Sequence, residues 1–170
     1  TRLGASGTLG VGENQARVAG EAWFDHEWST SALGAGAVGW DWFSLQLDDG
    51  RELMLFQIRR EDGSTEPVSG GTLVARDGRA RRLSREDASI DVLGHWTSPQ
   101  TGARYPSRWR VRVRSAGLDL AVAPWLEAQE MRTSFVYWEG AVAVFDGAGA
   151  LSGSGYVELT GYSGSMRDVF

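Results

Sequence analysis

The sequence contains no cysteine and no lysine, and it has only four prolines and two histidines. Without cysteine the chain can form no disulfide, no thiolate nucleophile and no cysteine-ligated zinc site. All 17 basic residues are arginine, which we interpret as codon bias from a GC-rich genome rather than as a functional signal. The lack of cysteine fits any compartment and therefore identifies none.

Two further absences limit the class of protein. No apolar run approaches the roughly 20 residues that a membrane helix needs, and the net charge of −5 argues against nucleic acid as the main partner. The chain starts with TRLGASGTLG, which is neither an apolar signal segment nor a Met-initiated terminus. We therefore interpret it as a mature or trimmed piece, and its length of 170 residues is typical of one domain.

Glycine and tryptophan are abundant, with 23 Gly and 8 Trp. Many glycines together with many aromatic residues favour short strands joined by tight turns. The dipeptides Asp49-Gly50 and Asp77-Gly78 predict hairpin turns, and Ser84 could cap a single helical turn. About nine to eleven strands are expected, which predicts an all-β barrel or sandwich. The strand-like segments lie near 5–12, 15–25, 38–48, 52–60, 71–83, 89–96, 108–114, 117–124, 133–146 and 152–162.

Two segments show the alternation of a half-buried strand. RWRVRVR, residues 108–114, separates apolar side chains from four arginines, so one face should be buried and the other wet. The arginine row either binds anions or forms a solvated outer face that opposes aggregation, and we favour the solvated face. In residues 38–48 one face carries Asp41, Phe43, Leu45 and Leu47, and the other carries Trp40, Trp42, Ser44 and Gln46.

The segment AWFDHEWSTS, residues 22–31, places two carboxylates beside one of the two histidines and between two tryptophans. A metal site is disfavoured, because His26 and His95 are far apart in sequence and no HxH or HExxH spacing occurs. On an extended strand, Asp25 and Glu27 would also point away from His26. A serine nucleophile is poorly supported, because the chain has no GxSxG elbow.

General acid–base chemistry remains as a hypothesis for this segment. A carboxylic acid among tryptophans is poorly solvated, so its pKa rises and it can stay protonated near neutral pH. It could then protonate a C=C bond, and indole faces could stabilise the resulting cation. Asp25 and Trp23 would share one face of an extended strand. The residues alone favour an alternative. In it, Asp25 and Glu27 form hydrogen bonds with backbone groups or arginine at one end of a barrel, and the tryptophans belong to the hydrophobic core.

Five segments carry a resemblance that covers nearly the whole chain: ARVAGEAWFDHEW, VGWDWFSLQLDDGRELMLFQIR, HWTSPQTGARYPSRWRV, YWEGAV and GYVELTGYSGSM. Together they resemble the carotenoid 1,2-hydratase (hydroxyneurosporene synthase) family, which includes lipocalin-like proteins loosely labelled secreted hydrolases. The resemblance implies a lipocalin-like antiparallel β-barrel of about 9–11 strands, with residues 1–170 as a single domain. Family members are generally built as two such barrels in tandem, and this chain resembles the C-terminal half.

The family's activity implies chemistry without a cofactor or metal on an apolar isoprenoid- or polyketide-like substrate. In the hydratase branch an acid protonates a C=C bond and water traps the cation, and related branches are credited with cyclisations. The alternatives are a lipocalin-like module that only binds an apolar ligand, and a hydrolase. The expected partners are the missing N-terminal barrel half or a second copy of the chain. A location in the bacterial cell envelope or outside the cell is implied by the resemblance alone.

The resemblance implies catalytic groups at Asp25, His26 and Glu27, with Asp25 as the acid. If the family's proton donor lies on the strand after the DDG turn, this chain offers only residues 55–57, Leu-Phe-Gln, at that place, which leaves Asp25. The aromatic and polar mixtures near 105 and 137 suit an apolar pocket, although each taken singly is more typical of core. The expected substrate-binding residues are Trp23, Trp28, Trp40, Asp41, Trp42, Tyr105, Tyr137, Trp138 and Glu139.

Overall fold

The computed structural model describes residues 2–26 and 33–166, and in these ranges the chain forms twelve β-strands. It divides into two compact units, residues 1–30 and 31–170. Within the two described ranges, no helix is long and apolar enough to cross a bilayer. The strands are β1 Arg2–Val11, β2 Asn14–Trp23, β3 Ala37–Leu47, β4 Glu52–Arg60, β5 Gly70–Val74, β6 Ala80–Ser84, β7 Ala88–Thr97, β8 Arg104–Val113, β9 Leu118–Pro124, β10 Glu130–Arg132, β11 Val136–Phe145 and β12 Leu151–Leu159.

The first unit contains an antiparallel hairpin of β1 and β2, and the second contains one antiparallel sheet of ten strands. The sheet has the order β6-β5-β4-β3-β12-β11-β9-β8-β7, and the short β10 pairs with β11. Strands β6 and β7 form its two edges and are joined by a turn at 85–87. The predicted fold class, an antiparallel all-β barrel of about 9–11 strands, is confirmed by this sheet.

Strand β3 shows why the sequence adopts this fold. The side chains of Phe43, Leu45 and Leu47 are buried, as the alternation predicted, and Trp40 and Trp42 on the other face are half-buried. Gly50 and Gly78, in the two predicted hairpin turns, have φ angles of 85° and 82°, which glycine adopts without strain.

The inward side chains of nine strands form one hydrophobic core. Its largest fully buried members are Trp109, Trp138, Tyr105 and Phe43. The rings of Phe43 and Trp109 meet edge to face with centroids 5.5 Å apart, and the ring of Trp138 lies 6.4 Å from that of Trp109. Large rings therefore fill the middle of the barrel.

The arginine row of β8 is a solvated outer face, as favoured from the sequence. Arg110 donates two hydrogen bonds to the carboxylate of Asp119, at 2.7 and 2.6 Å, and Arg112 pairs with Asp91. Because Asp119 and Asp91 pair with Arg110 and Arg112, these two arginines of the row have little charge left to attract an anion.

The boundaries of some strands differ from the predicted ones. The segment 133–146 becomes a strand only at Val136, and β10 was not predicted, because three residues are too few to show alternation. At Ser84 the chain turns instead of starting a helix, and the hydroxyl of Ser84 donates to the carboxylate of Asp87 at 2.8 Å.

Candidate functional site

One end of the barrel contains a buried carboxylate, Asp41, near the start of β3. This end, which we call the Asp41 end, is where β3, β8 and β11 begin and where β4 and β12 finish. The side chain of Asp41 points inward and is 8% exposed. Its neighbours in register are Gln57 on β4 and Leu159 on β12.

Two side chains hold the Asp41 carboxylate. The Arg59 guanidinium donates from Nε to Oδ1 at 2.9 Å, and the Tyr162 hydroxyl donates to Oδ1 and Oδ2 at 3.0 and 3.1 Å. The Arg59 guanidinium carbon also lies 3.8 Å from the centre of the Tyr162 ring, which is a favourable cation–π distance. The carboxylate of Asp41, the guanidinium of Arg59 and the phenol ring of Tyr162 therefore form one compact group.

The segment after β12 brings Tyr162 next to Asp41 and Arg59. Thr160 is fully buried, its amide donates to the carbonyl of Trp40, and its own carbonyl accepts from Arg59. At Gly161 φ is 74°, and a Cβ there would overlap the carbonyl oxygen of Val38. A Cβ at Gly39 would likewise overlap the carbonyl oxygen of Thr160. The two glycines thus let the segment lie directly against β3.

Aromatic rings extend the site across the barrel end. Tyr105 lies between Trp96, whose ring is stacked at 6.1 Å, and Tyr162, whose ring centroid is 5.5 Å away. The hydroxyl of Tyr105 donates to Glu130 at 3.0 Å. Glu130 also accepts from the hydroxyls of Ser98 and Thr101, at 2.9 and 2.7 Å. We call Asp41, Arg59, Tyr105, Glu130 and Tyr162 the Asp41 cluster.

Burial changes the acidity of these groups. Burial raises the pKa of Asp41 above its ordinary value, although Arg59 and the bond from Tyr162 act in the opposite direction. Burial, and then the charge of Asp41, raises the pKa of Tyr162. Burial also raises the pKa of Tyr105, together with its bond to Glu130. For Glu130, burial raises the pKa, but the bonds from Thr101, Ser98 and Tyr105 outweigh it and the net pKa is lowered.

We predict that Asp41→Asn removes a pH-dependent part of the stability. A carboxyl with a raised pKa holds its proton more tightly in the folded chain, so its contribution is complete below the unfolded pKa and is lost as pH rises through the folded pKa. The free energy of unfolding of the wild type, relative to Asp41→Asn, should therefore fall as the pH rises above about 4, the ordinary pKa of an aspartate, and through the raised pKa of Asp41. Urea denaturation followed by tryptophan fluorescence measures this difference, and a flat or rising difference contradicts the prediction.

Three of the predicted substrate-binding residues do face the barrel interior. Asp41 and Tyr105 belong to the cluster, and Trp138 lies in the core with its indole N–H donating to the carbonyl of Glu127 at 2.7 Å. Register explains this grouping, because Trp138 on β11 faces Leu159, and Leu159 on β12 faces Asp41.

Four others lie on the outer face of the sheet, half-buried: Trp40, Trp42, Tyr137 and Glu139. Trp40 and Trp42 flank Asp41 in sequence but point to the opposite side of β3, so they cannot form one wall with it. Burial and the nearby Glu139 raise the pKa of Tyr137.

The proposed acid and its neighbours belong to the first unit. Strand β2 ends at Trp23, which is half-buried, so the expected alternation does not continue to Asp25. Asp25 and His26 are exposed, and the ring of His26 lies edge-on to Phe24 at 6.1 Å. Glu27 and Trp28 lie outside the described residues, so the catalytic role of this group stays a prediction. In the described ranges, no group of three or more potential metal ligands occurs.

The sequence reasoning missed Arg59, Tyr162, Glu130 and Trp96. Arg59 did carry a signal, because the alternation of β4 places it on the inward face with Leu53 and Leu55. When an arginine and an aspartate on neighbouring strands both point into the barrel, a buried ion pair between them is expected. Tyr162 carried no such signal, since it follows the end of β12.

Comparison with known proteins gives the family. A family model described as AttH-like matches residues 1–162. The chain belongs to the AttH-like family. A crystal structure of an AttH protein from Nitrosomonas europaea is similar to this AttH-like chain, with 37% sequence identity and a TM-score of 0.85. No curated protein matches the chain.

The same comparison bears on fold and length. The alignment covers 95% of this AttH-like chain and 50% of the Nitrosomonas europaea chain, so the chain spans about half the length of that relative. The fold of this family is a lipocalin-like β-barrel, as the resemblance implied.

Proposed function

We propose that this AttH-like barrel binds an apolar, isoprenoid- or polyketide-like molecule at its Asp41 end. The supporting observation is a buried carboxylate among aromatic rings at the end of a lipocalin-like barrel. Ligand sites of this kind are mostly apolar, with a few placed polar groups that fix orientation. Trp96, Tyr105 and Tyr162 supply the apolar surface, and Asp41 with Arg59 supplies the polar groups.

A second function, acid-initiated addition of water to a C=C bond, is favoured by one specific observation. The Asp41 carboxyl combines burial with a raised pKa, which are the properties that the sequence argument required of an acid in a dry site. In the proposed step, the proton of the carboxylic acid forms a C–H bond with one alkene carbon, using the π electrons. Water then bonds to the cationic carbon and returns a proton to the carboxylate, so the acid is regenerated.

The aromatic rings of the site suit the cation in this reaction. The face of a tyrosine or tryptophan ring attracts positive charge, by about 0.5–2 kcal/mol for each contact. The Tyr162 ring already lies against the guanidinium of Arg59, and the Tyr105 ring lies next to the Tyr162 ring. Arg59 and Tyr162 contact the Asp41 carboxylate and are only half-buried, so only these two side chains separate it from solvent. Asp25, with His26 and Glu27, remains the other candidate acid.

Two matched variants, Asp41→Asn and Asp25→Asn, test this proposal. The assay is incorporation of ¹⁸O from labelled water into lycopene, with quenching of tryptophan fluorescence by lycopene as the measure of binding. Asp41→Asn should lower product formation by about 10²–10⁴-fold, which is the usual effect of removing a general acid, and should leave lycopene affinity nearly unchanged.

Loss of product only in Asp25→Asn would assign the acid to the first unit and reject Asp41. Binding without product at any protein concentration would leave the ligand-binding function and reject catalysis on lycopene. If lycopene and the shorter isoprenoid farnesol both fail to quench the wild type, the proposed binding of isoprenoids is wrong.

A further inference from the structure

Gln57 is a polar side chain that lies beside Asp41 on the inner face of the barrel. The two residues are paired in register between β4 and β3, and residues directly opposite each other on antiparallel strands have Cβ atoms about 5 Å apart on the same face. Alternation along β4 places Gln57 on the inward face with Leu55 and Arg59. Gln57 is half-buried, so its amide is partly shielded from solvent.

The carboxylates of the Asp41 cluster are already satisfied by other side chains. The Asp41 carboxylate accepts from Arg59 and Tyr162, and the Glu130 carboxylate accepts from three hydroxyls. The amide of Gln57 differs, because in the part of the chain that the structure describes no protein group forms a hydrogen bond with it. This amide therefore has both a donor and an acceptor available for an added polar group.

Gln57 also lines a narrow crevice in the side of the barrel. The crevice lies between β4 and the first residues of β7, and its apolar walls include Leu55, Ala88 and Ile90. The other polar side chains that line it already bond to protein groups: Ser69, Ser84 and Arg85. Its free space is about 10 Å³, which is enough for roughly one water-sized group. The crevice therefore has room for a single hydroxyl beside Gln57, but not for a hydrocarbon chain.

We propose that Gln57 is the specificity-determining residue of this barrel and binds the hydroxyl group of an isoprenoid alcohol. The inference rests on the proposed binding of an isoprenoid at the Asp41 end, and it adds the functional group that the ligand carries. A hydroxyl both donates and accepts a hydrogen bond, so it can pair with either end of the amide. The hydrocarbon chain stays with the aromatic rings of the Asp41 end, because the crevice has no space for it. A hydrocarbon without a hydroxyl would displace water from the amide and leave it unpaired, which costs affinity.

Farnesol and farnesene, a hydrocarbon of the same carbon skeleton without the hydroxyl, test the proposal. Quenching of tryptophan fluorescence by each compound gives its dissociation constant for the whole chain. Gln57→Leu should lower the ratio of farnesol affinity to farnesene affinity by about threefold to tenfold relative to the wild type, which is the usual effect of one hydrogen bond. The ratio is the measure because it cancels any general change in the apolar contacts. Gln57→Met, which keeps an unbranched side chain, should give the same loss and replaces Gln57→Leu if that variant does not fold.

Gln46→Leu is the matched control. Gln46 is half-buried on β3, but alternation places its side chain on the outer face, so this variant should keep the wild-type ratio. An unchanged ratio in Gln57→Leu and Gln57→Met, or an equal fall in Gln46→Leu, overturns the inference while the proposed isoprenoid binding stands. If lycopene binds to the wild type and farnesol does not, the inference alone is again wrong. If neither compound binds, the proposed isoprenoid binding fails together with it.

Discussion

Replacement of Asp41 with alanine is expected to lower the free energy of unfolding by about 3 kcal/mol. The substitution removes the carboxylate that pairs with Arg59 and accepts from the Tyr162 hydroxyl, while both of those groups stay packed in the barrel end. Loss of one partner of a buried ion pair usually costs about 3–5 kcal/mol. The lower value applies here because the Arg59 side chain is 21% exposed and water can reach part of its charge.

A double variant separates the charge effect from simple loss of packing. In Asp41→Leu with Arg59→Met, both charges are replaced by apolar side chains of similar size, which is often nearly neutral. Equilibrium urea denaturation of the wild type, the single variants and the double variant gives the coupling energy. The prediction is wrong if Asp41→Ala loses less than about 1 kcal/mol, or if the two single effects simply add.

The second large effect is expected at the centre of the barrel. Trp109→Ala should lower the free energy of unfolding by about 3–5 kcal/mol, because it removes a large ring and leaves a cavity. Trp109 is fully buried and contacts the rings of Phe43 and Trp138. The loss would fall at the upper end if those rings cannot move into the space.

Trp125→Ala is the matched control for Trp109→Ala. Trp125 is 59% exposed, so the same change of residue should alter the free energy of unfolding by no more than about 0.5 kcal/mol. Thermal and urea denaturation followed by far-ultraviolet circular dichroism measures both variants. Similar losses in the two variants would contradict the assignment of Trp109 to the core.

The sequence was sufficient for the fold class, because alternation is a local property. In β3 the period of two separates Asp41, Phe43 and Leu45 from Trp40 and Trp42, and the structure has the same division. Burial of one face drives this pattern, so it can be read without knowing the partner strands. The two Asp-Gly turns were equally local, since a positive φ at the glycine follows from the turn itself.

The site was only partly predictable, because register between distant strands decides it. Asp41 was named as part of the substrate wall, but its contacts come from Arg59 on the next strand and Tyr162 near the end of the chain. Alternation could have placed Arg59 inward, yet no local pattern places Tyr162. Asp25 would share a face with Trp23 only on a strand that continues past Trp23, whereas β2 ends there.

The pairing of β12 with β3 has a consequence for biosynthesis. Leu159 lies opposite Asp41 and Gly153 lies opposite Leu47. The hydrogen bonds between β3 and β12 therefore join the barrel strand that is synthesised first to the barrel strand that is synthesised last. The nascent chain cannot complete its hydrogen bonding until β12 has left the ribosome, and contacts so distant in sequence form slowly. A truncation before Leu151 would release a chain in which β3 and β11 each have an unpaired edge, whereas removal of residues after Leu159, the end of β12, would leave the pairing of β12 with β3 intact.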